Sequence, residues 1–185
     1  KAYAAAGSDA RMNGCELPVV INSGSGNQGL TVSVPLIIYA EREHLDKEKL
    51  YRALVISNLT AIHLKTEIGR LSAFCGAVSA GAACGAGLAY LKDASEEVMN
   101  HTIVNALAIT SGIICDGAKA SCAAKIAVSV EAGILGYDMY MNDQQFYGGD
   151  GIISKGIENT IHNIGVLGSQ GMASTDQEII KIMCE

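Results

Sequence analysis

The sequence predicts an all-α fold: a compact helical domain around a buried Ala/Gly-rich central helix. Three observations carry that expectation. Apolar residues recur at three- and four-residue spacing, and no convincing alternating strand is present. The only two prolines, Pro18 and Pro35, both come early, leaving a long stretch free of helix breakers. The segment Leu71–Leu91 carries no charge and consists mainly of Ala, Gly and Ser. It is long enough to cross a bilayer, yet its small residues suit a helix enclosed by other helices better than one facing lipid.

Taken in order, residues 1–11 read as a short helix or a frayed end. Asn22-Ser23-Gly24-Ser25-Gly26-Asn27-Gln28-Gly29 reads as a loop with no side chain larger than an amide. Leu30–Tyr39, with Pro35 inside it, reads as a kinked helix or a strand, and helix is favoured because Ala40-Glu41-Arg42-Glu43 continues it with good helix formers. Asp46 is the expected cap of a helix to Ile68, with Leu50, Leu54, Leu59 and Ile62 at helical spacing and Gly69 as its stop. The buried helix Ala73–Leu91 follows. Asp93-Ala94-Ser95-Glu96 has the form of a capping box and opens a helix ending near Gly112. A further helix is expected over 118–132, an exposed turn-rich loop over 136–151 and a helix over 154–167. Ser174-Thr175-Asp176-Gln177 reads as a second capping box, opening a C-terminal helix to Met183.

Of the 185 residues, 49% are hydrophobic and 17% charged, which fits one core-forming domain over 1–185. With no tryptophan and two phenylalanines, the core must be aliphatic, and the 21 glycines allow backbones to close on one another. A net charge of −6 and no basic cluster argue against a nucleic-acid partner. No membrane partner is expected. Six cysteines in a long apolar chain suit buried or metal-binding thiols in a reducing cytoplasm better than a disulfide framework.

Cys75, Cys115 and Cys122 are the candidate metal ligands. Three thiolates suit a cubane iron–sulfur cluster with one iron left open, and zinc with a fourth ligand is an alternative. On one unbroken helix Cys115 and Cys122 would stand ~10 Å apart along the axis. Asp116-Gly117 supplies a turn between them, placing Cys115 at one helix end and Cys122 at the start of the next. Plain packing, or a Cys115–Cys122 disulfide, would account for the same residues without a metal. Cys84, in Ala83-Cys84-Gly85, reads as a packing residue. Cys184 reads as a thiol at a helix end, and the role of Cys15 is open. Asn22, Ser23, Ser25 and Asn27 are candidate substrate contacts in a loop whose amides can cradle an anion. The loop is no Walker motif, since no Gly-Lys-Ser/Thr follows. Lys65, Lys119 and Lys125 read as surface or ion-pair lysines.

The runs Phe74-Cys75-Gly76-Ala77-Val78 through Cys84 and Ile114-Cys115-Asp116-Gly117 through Cys122 resemble the catalytic alpha chain of iron–sulfur L-serine dehydratases. They are more similar to the related L-cysteine desulfidases, because the second run is short and reads Asp-Gly where the dehydratases have a longer gap and a proline. Met12–Gly29 and Gly165–Asp176 resemble the desulfidase group as well, so the resemblance covers nearly the whole chain.

The resemblance implies a 4Fe–4S cluster on Cys75, Cys115 and Cys122, with Cys84 not a ligand. It implies β-elimination from L-cysteine, or from L-serine, without pyridoxal phosphate. It further implies that the chain is the C-terminal part of a longer protein whose missing N-terminal portion holds the general base. Within this chain, His63 and His101 are the candidates for that base. A homo-oligomer fits this reading. A non-catalytic cluster- or zinc-binding structural domain is the rival expectation.

Overall fold

The computed structural model describes all residues, Lys1–Glu185, and is all-α. Eight α-helices follow in order: α1 (Ala2–Met12), α2 (Gly26–Arg42), α3 (Lys47–Ile68), α4 (Gly76–Leu91), α5 (Glu96–Thr110), α6 (Cys122–Met141), α7 (Ile157–Val166) and α8 (Ala173–Cys184). A π-helical turn, Leu167–Gly171, joins the last two. The only β-pairing consists of two isolated bridges, Asn22 with Ser25 and Phe74 with Ile114.

The Ala/Gly-rich segment is the axis of the fold. Every residue of α4 except Gly76 and Tyr90 is buried, and α2, α3, α5 and α6 all pack against it. Its small side chains explain how four helices can surround one. At the crossing with α6, a Cβ on Gly81 would fall 2.3 Å from the Ser129 carbonyl oxygen, and one on Gly133 would fall 2.5 Å from that of Gly81. Neither contact leaves room for a side chain. No helix is long and apolar enough to cross a membrane.

Several expected boundaries move. Asp46 caps α3 as expected, its carboxylate accepting from the Lys49 N–H at 2.9 Å, and Gly69 ends the helix at φ +88°. The cap of α5 is Ser95, which accepts from the Val98 N–H, rather than Asp93, which sits at φ +59° in the preceding turn. Helix α2 begins at Gly26, so half of the expected glycine loop is helical. Helix α6 begins four residues later than expected, at Cys122, and runs nine residues further, to Met141. Gly133 and Gly136 lie inside it as packing contacts against α4 and α5. Helix α4 starts at Gly76 rather than Ala73, because Phe74 is held in its bridge. The Ser174–Gln177 box makes no side-chain cap, since α8 continues directly from the π turn.

Candidate active site

Two short connections create the site. After α3, residues 69–75 run beside residues 111–116 that follow α5. The pairing of Phe74 with Ile114 is tied by the Cys115 N–H to the Ala73 carbonyl at 2.7 Å and the Cys75 N–H to the Ile113 carbonyl at 3.2 Å. Ser72 anchors the first connection, its hydroxyl donating to the Gly168 carbonyl at 2.6 Å and accepting from the Phe74 N–H. Cys75 and Cys115 are thereby set side by side. Gly117, at φ +91°, turns the chain so that Cys122 becomes the first residue of α6. The Cys122 thiol lies 3.5 Å from the Gly117 carbonyl.

Cys75, Cys115 and Cys122 line one cavity of about 240 Å³. Its walls come from the starts of α2, α4 and α6, the 115–118 connection and the end of α3. The three helix starts have no side-chain cap hydrogen bond. Their dipoles favour negative charge in the space between them. Lys65, Arg70 and Lys125 also face the cavity, whereas no histidine, aspartate or glutamate lines it.

The electrostatics follow from this placement. Contact with Cys115, together with burial, pushes the Cys75 thiol far up. The Cys115 thiol is lowered to about 6, first by Cys75 and further by the Gly117 N–H and Lys125. Lys125 is hydrogen-bonded to Asp116, which it holds below the usual carboxylate range. Cys84 lies fully buried inside α4, and its thiol is pushed up to about 12 by burial alone among the unfavourable influences.

The expected loop divides. Ser25 and Asn27 line the cavity. Asn27 is held from α1, its Oδ1 accepting from Arg11 at 3.0 Å. Asn22 and Ser23 do not line it: the Asn22 amide donates to Asn58, and the Ser23 hydroxyl donates to the Asn22 Oδ1. Neither candidate histidine reaches the thiols. His63 pairs on the surface with Glu158 at 2.8 Å, and His101 stacks on Tyr140 in a different cavity. Cys15 and Cys184 are exposed and line none of it.

Sequence reasoning missed Gln28 and Lys65. Lys65 is no surface lysine: it is buried and faces the thiols. The signal was present, because Lys65 occupies the buried stripe Ala61, Leu64, Lys65 and Ile68, an i, i+3, i+4, i+7 pattern. Lys125 does form an ion pair, but as part of the cavity wall.

The all-helical domain thus gathers three thiols, three cations and three helix starts around one cavity. The family model described as serine dehydratase alpha chain matches residues 1–181, and the chain belongs to that family. It is 68% identical to a UPF0597 protein of Desulfitobacterium hafniense over 183 residues, covering 99% of this chain and 43% of the relative. UPF0597 proteins of Finegoldia magna and Fusobacterium nucleatum are 55% and 48% identical, over 100% and 98% of this chain and 44% and 42% of theirs. The chain thus spans less than half the length of these curated relatives. No solved structure matches it.

Proposed function

We propose that this chain is the cluster-binding catalytic part of an iron–sulfur-dependent amino-acid lyase. Its reaction is β-elimination from L-cysteine, giving sulfide, pyruvate and ammonia, or from L-serine, giving pyruvate and ammonia. The observation that carries the proposal is the meeting of Cys75, Cys115 and Cys122 on one cavity from three separate segments.

The residues fit a 4Fe–4S cluster. The donors are soft thiols, as such clusters require. The lysines and uncapped helix starts offset the negative charge of thiolates bound to iron and sulfide. No three His, Cys, Asp or Glu side chains converge closely enough to hold a single metal ion. Bound here, a 4Fe–4S cluster supplies Lewis acidity for a leaving group that departs poorly as sulfide or hydroxide.

The chain's own groups bind and orient the substrate. Ser25, Asn27 and the start of α2 line the cavity that an α-amino acid would enter. Loss of the Cα proton and the β-substituent leaves an enamine, which hydrolyses to pyruvate and ammonia. With no histidine or carboxylate on the cavity wall, the base is assigned to the rest of the protein, since the curated relatives are more than twice as long as this chain.

The test is pyruvate release by the full-length protein, reconstituted anaerobically with iron and sulfide, on addition of L-cysteine or L-serine. Pyruvate formed only with the loaded protein supports the lyase. A loaded protein inert toward both amino acids points to a cluster-binding structural domain.

A further inference from the structure

Two buried polar side chains beside the thiols have nothing in the protein to bind. Lys65 is 5% exposed and forms no ion pair. Gln28, 6% exposed in the first turn of α2, has its Oε1 buried without a hydrogen-bond partner. Gly76 makes the space for that amide: a Cβ there would fall 2.5 Å from the Gln28 Nε2. Both residues line the thiol cavity.

A buried cation and a buried amide oxygen are costly when unpaired, and most such groups in folded proteins are satisfied. The two are of opposite sense. Lys65 only donates, and the Gln28 Oε1 only accepts. Yet they do not satisfy each other, because the Oε1 has no partner. A ligand that bridges them must carry an anionic acceptor at one end and a donor at the other. The ammonium and carboxylate of an α-amino acid meet that description.

We infer that Lys65 and Gln28 form the clamp for the substrate's α-amino-acid headgroup, Lys65 taking the carboxylate and the Gln28 Oε1 taking the ammonium. This rests on the lyase reading for its substrate class. It places recognition of the headgroup on two side chains reaching in from α3 and α2, beside the thiols rather than through them.

The test is equilibrium binding to the full-length protein, with iron and sulfide content measured in every sample. L-Alanine is the probe, because it has the headgroup but no β-leaving group and is not consumed. Ethylamine, which lacks the carboxylate, and propionate, which lacks the ammonium, are the competitors. Lys65→Met is expected to weaken L-alanine binding roughly ten- to hundredfold, the range for one charged hydrogen bond, and to collapse its preference over ethylamine. Gln28→Leu is expected to collapse the preference over propionate instead. Lys65→Arg, which keeps the charge, should recover part of the affinity, and circular dichroism confirms that each variant is folded.

The clamp is overturned if wild-type protein does not bind L-alanine, or if folded Lys65→Met binds it equally well. It is also overturned if Lys65→Met loses iron and sulfide while its L-alanine affinity is unchanged, because Lys65 would then serve the metal site alone. Failure of the lyase reading looks different. Wild-type protein would lack iron and sulfide, or release no pyruvate from L-cysteine and L-serine, while L-alanine binding still depended on Lys65 and Gln28.

Discussion

Phe74 pairs with Ile114 in a single antiparallel bridge, and that pairing sets Cys75 beside Cys115 across a gap of forty residues. The bridge explains why α4 starts later than its composition implies. It also explains how a helical protein brings distant thiols together: two connections, not two helices, carry the first pair.

Each of the three cavity cysteines should be required for the metal site, and Cys84 should not. Cys75→Ala, Cys115→Ala and Cys122→Ala are expected to abolish iron and sulfide uptake with the helical circular dichroism retained. Cys84→Ala should keep uptake and cost stability, about 1–2 kcal/mol in urea unfolding, because it leaves a small void in α4. Uptake by Cys122→Ala equal to wild type would remove that residue from the site.

Thiol reactivity in metal-free protein should separate the neighbours. Cys115 is lowered to about 6, whereas Cys75 is raised. A thiol with a lowered value is anionic above it, and the thiolate is the nucleophile. Iodoacetamide is therefore expected to modify Cys115 ahead of Cys75 at pH 7, the rate falling as pH drops through about 6. Mass spectrometry of the labelled peptides reads this directly. A Cys115 rate that rises only near pH 8.5, as for an ordinary thiol, contradicts the assignment.

The crossing of α4 and α6 should tolerate no side chain. A Cβ on Gly85 would lie 2.8 Å from the Gly133 Cα and 2.9 Å from a Thr102 methyl. Gly85→Val is expected to destabilise the fold by about 1–3 kcal/mol or more, since close-packed backbones must separate. Gly112→Ala, where nothing lies within 4 Å, is the control and should change stability by less than ~1 kcal/mol. Urea denaturation of both variants checks the contrast.

Ser72 should govern how tightly the site is held. Its hydroxyl links the Cys75 segment to the π-helical turn through Gly168. Ser72→Ala is expected to cost about 1 kcal/mol. A chelator should then strip iron from the loaded variant faster than from wild type. Equal rates would show that the 72–75 segment needs no such anchor.

Much of this fold is legible in the chain because local chemistry and packing agree. Asp46 and Gly69 bound α3, and the uncharged Ala/Gly run marks the helix that becomes the core. The misplacements occur where tertiary contact overrides local signals. Gly133 and Gly136 look like punctuation, yet α6 passes through both because α4 and α5 press against it there. Asp93 has the form of a cap, but its left-handed backbone hands that role to Ser95. The turn that separates Cys115 from Cys122 is readable from Asp116-Gly117. The Phe74–Ile114 pairing, and the turning of Lys65 and Gln28 toward the thiols, depend on elements far apart in the sequence and have no local signature beyond the buried stripe that includes Lys65.

The most direct measurement is the iron and acid-labile sulfide content of anaerobically prepared protein beside its Cys115→Ala variant. The account predicts brown wild-type protein holding iron and sulfide in equal amounts, about four of each per chain, and a colourless, folded variant holding neither. Wild-type protein that binds zinc, or that takes up no iron and sulfide under reconstitution, would contradict it.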